Sequence, residues 1–100
     1  MDAQLKKGVL DLCVLSQLIQ KDMYGYELTE TISQQLQITA GTLYLVLKRL
    51  KDNGYVETYL VESSSGPARK YYHITEKGRE FQAGGKQEFI DFVERTMRLL

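Results

Sequence analysis

Thr39–Thr75, TAGTLYLVLKRLKDNGYVETYLVESSSGPARKYYHIT, changes its hydrophobic period midway, and that change decides the fold. Its first part is helical. Thr39 is a good N-cap, Leu43, Leu47 and Leu50 recur on one face to about Asn53, and Gly54 suits the position just past a helix end. The opposite face carries Gly41, Leu45, Lys48 and Asp52, flanked by Tyr44 and Lys51 on one side and Thr42 and Arg49 on the other. The second part is extended. Residues 55–61 (YVETYLV) and 69–74 (RKYYHI) are β-branched and aromatic, and ESSSGP joins them as the loop of a hairpin. Tyr71 and Tyr72 alternate faces, so one packs inward and the other faces out; the pattern does not say which.

Upstream, residues 4–20 predict a helix with two apolar faces: Leu5, Val9, Leu12, Ser16 and Ile19 on one, Leu10, Val14 and Leu18 on the other. A helix apolar on two sides must be covered on both, and so short a chain has few elements to do it, which points to a partner subunit. Residues 24–35 predict a second helix, with Asp22 as N-cap and Tyr24, Leu28 and Ile32 one turn apart. Downstream, Thr75 caps a helix over 76–98. Phe81, Phe89, Phe92, Val93, Thr96 and Leu99 form its apolar stripe, and Ile90 and Met97 a smaller patch about opposite. Gly84-Gly85 inside it marks a kink or a close helix crossing. The order α-α-α-β-β-α, mainly helical with a small hairpin, is the winged helix-turn-helix plan. Residues 1–75 would be the DNA-binding part and 76–100 a C-terminal dimerisation helix, the two forming one compact unit.

Composition bounds this reading without deciding it. The chain has 100 residues, 26% charged, with a formal net charge of zero, so global charge is no argument for nucleic acid. The charge is unevenly spread: residues 1–38 hold three Lys/Arg (Lys6, Lys7, Lys21) against five acids, residues 39–80 seven against five, and residues 81–100 three against three. The single Cys13, between Leu12 and Val14, reads as a buried thiol in a reducing compartment. The start MDAQLKKGVL lacks the pattern of a signal peptide and no apolar run would span a bilayer, so the expected location is cytoplasmic. One His and one Cys some sixty residues apart, no phosphate-cradling glycine loop and no metal-spaced ligands argue against an enzyme; neither cofactor nor metal is expected. His73 reads as an ordinary strand residue, with a phosphate contact or a pH-sensing role as the functional alternatives.

The residues expected to face a duplex lie in two groups. A helix entering the major groove needs small or polar residues at its N-terminal end, where Thr39, Ala40, Gly41 and Thr42 stand. Their free N–H groups suit a phosphate. Lys48 can reach a phosphate or a guanine edge and Tyr44 a phosphate, against the bland reading of a solvated face. Leu45 either touches a thymine methyl or folds back onto the wing. Arg69 and Lys70, directly after the hairpin tip, can straddle the backbone beside a minor groove. The competing function is a winged-helix protein-interaction module without DNA binding, which the zero net charge keeps open.

Three blocks, MYGYEL (Met23–Leu28), GTLYLVLKRLKDNGYVE (Gly41–Glu57) and SGPARKYYHITEKGRE (Ser65–Glu80), in this order and spacing closely resemble the PadR family, the phenolic-acid-decarboxylase-type regulators. The resemblance covers about residues 5–80, with a terminal helix of the short-form subgroup after it. It implies a homodimeric winged-helix repressor of a double-stranded operator, released by a small molecule or stress. It also implies pairing of helix 76–98 with the first helix of the other subunit. By the same resemblance Tyr44, Lys48, Arg69 and Lys70 occupy DNA-contact positions, and Leu47 and Leu50 are core. The expected dimer contacts are then Leu10, Val14 and Leu18 on the first helix and Phe89, Ile90, Val93 and Met97 on the last. Two departures stand out. Leu45 replaces a proline found in many members, and the chain has no Trp, which multidrug-sensing members use to stack flat aromatic drugs. Phe89, Phe92 and Met97 are the candidates to line a smaller pocket for an aromatic effector; a stripe at helical spacing is more often interface core.

Overall fold

A computed structural model describes residues 3–100, with side chains from Gly8 onward. The expected place of Leu5 on an apolar face and the charges of Lys6 and Lys7 lie outside the described side chains. The elements are α1 (Ala3–Gln20), β1 (Met23–Tyr24), α2 (Gly25–Ser33), α3 (Ala40–Asp52), β2 (Val56–Ser63), β3 (Gly66–Ile74) and α4 (Glu76–Leu99). This is the expected winged helix-turn-helix with one added strand. The sheet is antiparallel with order β1-β3-β2, and β1 exists only by pairing Met23 with Tyr72 and Tyr24 with Tyr71. The hairpin is longer and tighter than its sequence indicates: Ser63 pairs with Gly66, so only Ser64 and Ser65 form the turn, with an irregularity between Val61 and Ser63.

Local chemistry fixes the helix ends. The Thr39 hydroxyl accepts from the backbone N–H of Thr42 (3.2 Å) and the Thr75 hydroxyl from that of Gly78 (3.0 Å), so both expected caps are in place. Gly54 takes φ +77° after α3, a left-handed conformation that ends the helix at little steric cost. Asp22 is not the cap of α2. That position belongs to Tyr24, whose backbone is extended because it is still in β1.

The core is built around α1. Leu10, Val14 and Leu18 are 3%, 0% and 1% exposed and pack with Leu15, Leu28, Ile32, Leu43, Val46, Leu47, Leu50, Val56 and Ile74. Burying such a side chain stabilises the fold by about 1.5–3 kcal/mol, so Leu10, Val14 and Leu18 belong to the protomer's own core and not to a dimer face. Their expected dimerisation role is corrected on that ground. Tyr72 is the inward member of its pair, and Tyr71 lies on the outer face of the sheet against Tyr59 and Tyr24.

α4 leaves this core partway along its length. Its buried residues are Gly78 and Gln82, and the Gln82 amide donates to the Ser16 hydroxyl of α1 at 3.0 Å. Gly85 marks a close helix crossing: a Cβ there would stand 2.6 Å from Leu12 Cδ2. Beyond Gly85 the helix continues unbroken to Leu99, with Phe89, Ile90, Phe92, Val93 and Met97 exposed. No helix among the described residues is long and apolar enough to cross a membrane.

Candidate nucleic-acid interface

α3 presents its N-terminal turn to solvent. Thr39, Ala40, Gly41 and Thr42 are all exposed, and Thr39 Oγ1 also meets Thr42 Oγ1 at 3.0 Å, which holds the first turn in a fixed shape. Leu43, Val46, Leu47 and Leu50 anchor the opposite face in the core, so the outward face cannot rotate away. Leu45 is 68% exposed, which removes the alternative that it folds back onto the wing. Tyr44 leans over the start of α2: a Cβ on Gly25 would come within 2.9 Å of its ring.

The cations of α3 differ in what holds them. Arg49 turns inward and pairs with Asp11 of α1, both side chains partly buried, which ties α3 to α1. Lys48 is exposed and bonded to Asp52 one turn on, at 2.9 Å. Lys51 is exposed and meets no carboxylate among the described residues. Charge spacing along the chain did not distinguish these three environments, because the partner of Arg49 is thirty-eight residues away.

On the wing, Arg69 pairs across the hairpin with Val61 and Lys70 with Leu60, so the two cations leave β3 on opposite faces. Arg69 lies over the Tyr24 ring, 4.7 Å from its centroid. β1 covers β3 only at Tyr71 and Tyr72, leaving the Gly66–Lys70 edge open on that side. Between this edge, the start of α2 and Tyr44 lies a slot of about 580 Å³, lined by Tyr24, Tyr26, Tyr44, Arg69, Lys70 and Tyr72. Tyr44, Arg69 and Lys70 thus meet at one slot, with Thr39, Ala40, Thr42 and Lys48 along the exposed side of α3.

A second cluster went unread in the sequence. Tyr59 donates its hydroxyl to Asp22 (2.7 Å), and His73 Nδ1 lies 2.8 Å from the other oxygen of the same carboxylate. Partial burial pushes the Asp22 carboxyl up, but the hydrogen bonds from Tyr59 and His73 and the nearby charges of His73 and Arg79 outweigh it and hold it below its ordinary value. The bond to Asp22 pushes the Tyr59 phenol up to about 12. Tyr59 stacks on Tyr71 (5.6 Å, 16°), Tyr71 tilts against Tyr24 (5.5 Å), and Tyr24 stacks on Tyr26 (6.4 Å, 18°). Nothing in the sequence joins Asp22, which reads there as a cap, to partners thirty-seven and fifty-one residues away.

The expected effector residues are only partly together. Phe89 and Phe92 line a hollow of about 320 Å³ with Val9, Leu12, Phe81 and Gly85, and Phe89 also borders a second of about 250 Å³ beside Cys13. Met97 lines neither hollow. It is 64% exposed nearer the end of α4, so within one chain it does not join Phe89 and Phe92. Cys13 is half-buried, and desolvation raises its thiol above the ordinary value.

Residues 14–83 match the model of the Transcriptional regulator PadR-like family. The fold is similar to that of a Streptococcus transcriptional regulator, with TM-score 0.88 and 33% identity over 98% of both chains. It is also similar to a PadR-like transcriptional regulator from Bacillus cereus, with TM-score 0.85 and 36% identity over 97% of this chain and 96% of that one. Bacillus subtilis PadR, solved in complex with operator DNA, shares the fold at TM-score 0.69 and 22% identity, over 76% of this chain and 45% of that one.

Proposed function

The chain belongs to the PadR-like family of transcriptional regulators, and from that premise we propose that it is a repressor that binds a pseudo-palindromic DNA operator as a homodimer. The observation that carries this reading is the slot where Tyr44 of α3 meets the two wing cations, beside the exposed first turn of that helix. A helix with a small, polar first turn beside a cationic hairpin suits one major groove and its flanking backbone. In this reading Thr39, Ala40 and Thr42 approach phosphates through the backbone, Tyr44 and Lys48 contact the duplex from α3, and Arg69 and Lys70 grip it from the wing. That Bacillus subtilis PadR was captured on operator DNA supports the same use of a shared fold.

The second copy covers the far half of α4. Phe89, Ile90, Val93 and Met97 are exposed in the protomer, and a helix with apolar residues on more than one side needs cover on each. Pairing there would set two reading helices about one duplex turn, roughly 34 Å, apart. The hollow at Phe89 and Phe92 borders this surface, so a small aromatic effector seated there would alter the packing of α4 and, through it, the spacing of the reading helices.

Sedimentation of the free protein and gel shifts at two salt concentrations test the reading. The chain should sediment as a dimer, and affinity should fall steeply with salt as counterions are released. Lys48→Ala with Arg69→Ala should weaken binding while leaving the circular dichroism unchanged. A monomeric chain, or a double variant that binds as tightly as wild type, would overturn it.

A further inference from the structure

We propose that Tyr24 is a positioning residue for Arg69, holding the wing's guanidinium in place before DNA arrives; this rests on the duplex-binding reading above. The two cations on the DNA side are held in different ways. Lys48 is bonded to the Asp52 carboxylate at 2.9 Å, so part of its charge is already answered. Arg69 meets no carboxylate among the described residues and lies instead over the Tyr24 ring at 4.7 Å. A carboxylate competes with phosphate for a guanidinium. An aromatic face fixes its direction and leaves its edge N–H groups and its full charge for a ligand.

The ring that holds Arg69 is itself held. Its backbone pairs with Tyr71 in the sheet, and the residue after it, Gly25, begins α2 beneath Tyr44. Its ring neighbours those of Tyr26 and Tyr71, and Tyr71 stacks on Tyr59. The Tyr59 hydroxyl closes the row on Asp22, which His73 grips from the other side. The row joins α2, β2 and β3, so a wing cation is oriented by the same elements that place the reading helix. A long, rotamer-rich side chain that is already ordered loses less freedom when it binds.

The role requires the face of the ring and not its hydroxyl, which separates it from a direct tyrosine–phosphate contact. Two measurements test it. The first needs no DNA: in the free protein the Arg69 side-chain Nε–H resonance should be displaced by the ring current in wild type and in Tyr24→Phe, and should move to an unperturbed position in Tyr24→Leu. The second is operator affinity. Tyr24→Phe should bind like wild type, Tyr24→Leu should lose roughly two- to twelve-fold, the ordering cost of one long side chain, and that loss should vanish when Arg69 is already Ala. An undisplaced Arg69 resonance in wild type overturns the proposal. So does a Tyr24→Leu loss of equal size with and without Arg69, or a Tyr24→Phe variant as weak as Tyr24→Leu. A displaced resonance together with an Arg69→Ala variant of undiminished affinity refutes use of the wing on DNA, a separate failure that the first measurement keeps distinct.

Discussion

Three glycines on α4 should respond to the same substitution in three different ways, because the helix meets different neighbours at each. At Gly78 a Cβ would stand 2.1 Å from the Tyr55 carbonyl oxygen and 2.8 Å from Ile74 Cγ1. That carbonyl accepts from Thr75 N–H at 3.1 Å, so the chain cannot relieve the clash without lifting α4 and breaking the bond that seats it. Overpacking costs about 1–3 kcal/mol and a lost buried bond about 1–3 more, while alanine's helix propensity returns about 1. Gly78→Ala should therefore destabilise by about 1–5 kcal/mol, lowering Tm by roughly 5–25 °C for a domain of this size. At Gly84 nothing lies within 4 Å of the built Cβ, so only the propensity gain acts and Tm should rise by a few degrees, on the order of 0.5–1 kcal/mol. Gly85 falls between, because its neighbour Leu12 Cδ2 is the end of a side chain that can turn aside. Thermal unfolding followed by far-ultraviolet circular dichroism, at one protein concentration for all variants, reads the series. A Gly78→Ala variant as stable as wild type would refute the close approach of α4 to the α3–β2 junction.

Asp11→Ala should cost about 1–3 kcal/mol in urea unfolding, less than for a fully buried pair because both side chains keep some solvent, and Asp11→Ala with Arg49→Met should recover much of it; a double variant no better than the single one would show that the ion pair is not the source of the loss. Subtracting the alkaline absorbance titration of Tyr59→Phe from that of wild type should isolate a phenol titrating near 12, and a difference curve centred near 10 would mean that the bond to Asp22 does not persist in solution. Because the fold lowers the Asp22 pKa, its contribution to stability is fully present above the carboxyl's unfolded value and lost as pH falls through the folded one. Asp22→Asn should accordingly flatten the acid limb of stability against pH, and an unchanged limb would count against the Tyr59–Asp22–His73 cluster.

What was legible in the sequence is what is decided locally. The caps at Thr39 and Thr75 and the stop at Gly54 depend on a hydroxyl or a missing Cβ within a few residues, and each stands where the pattern put it. Asp22 was misread for the opposite reason. By its neighbours it is a good N-cap, but Met23 and Tyr24 are drawn into the sheet by Tyr71 and Tyr72, and the carboxylate is taken by Tyr59 and His73. A two-residue strand carries no periodicity of its own, so β1 was invisible until β3 was in place. The two apolar faces of α1 were read correctly as needing cover on both sides, but the inference to a partner was wrong for Leu10, Val14 and Leu18. α1 packs against α2, α3, β3 and α4, so one protomer buries that face alone, and the uncovered apolar surface is displaced onto the distal half of α4.

The same contrast explains why counting charges said so little about DNA. In a chain of zero net charge, what matters is how many cations the fold leaves unanswered, and where. Arg49 faces inward to Asp11 and Lys48 shares its charge with Asp52, which leaves Lys51 as the one α3 cation without a carboxylate partner among the described residues. Arg69 is held by a ring and Lys70 stands exposed beside the same slot. The +2 excess of residues 39–80, seven Lys/Arg against five acids, understates this sorting because it weighs Arg49 and Arg69 alike. Tertiary pairing turns Arg49 into a brace for α3 and leaves Arg69 without a carboxylate among the described residues. The wing should therefore carry more of the salt-dependent part of binding than α3, even though α3 holds more basic residues.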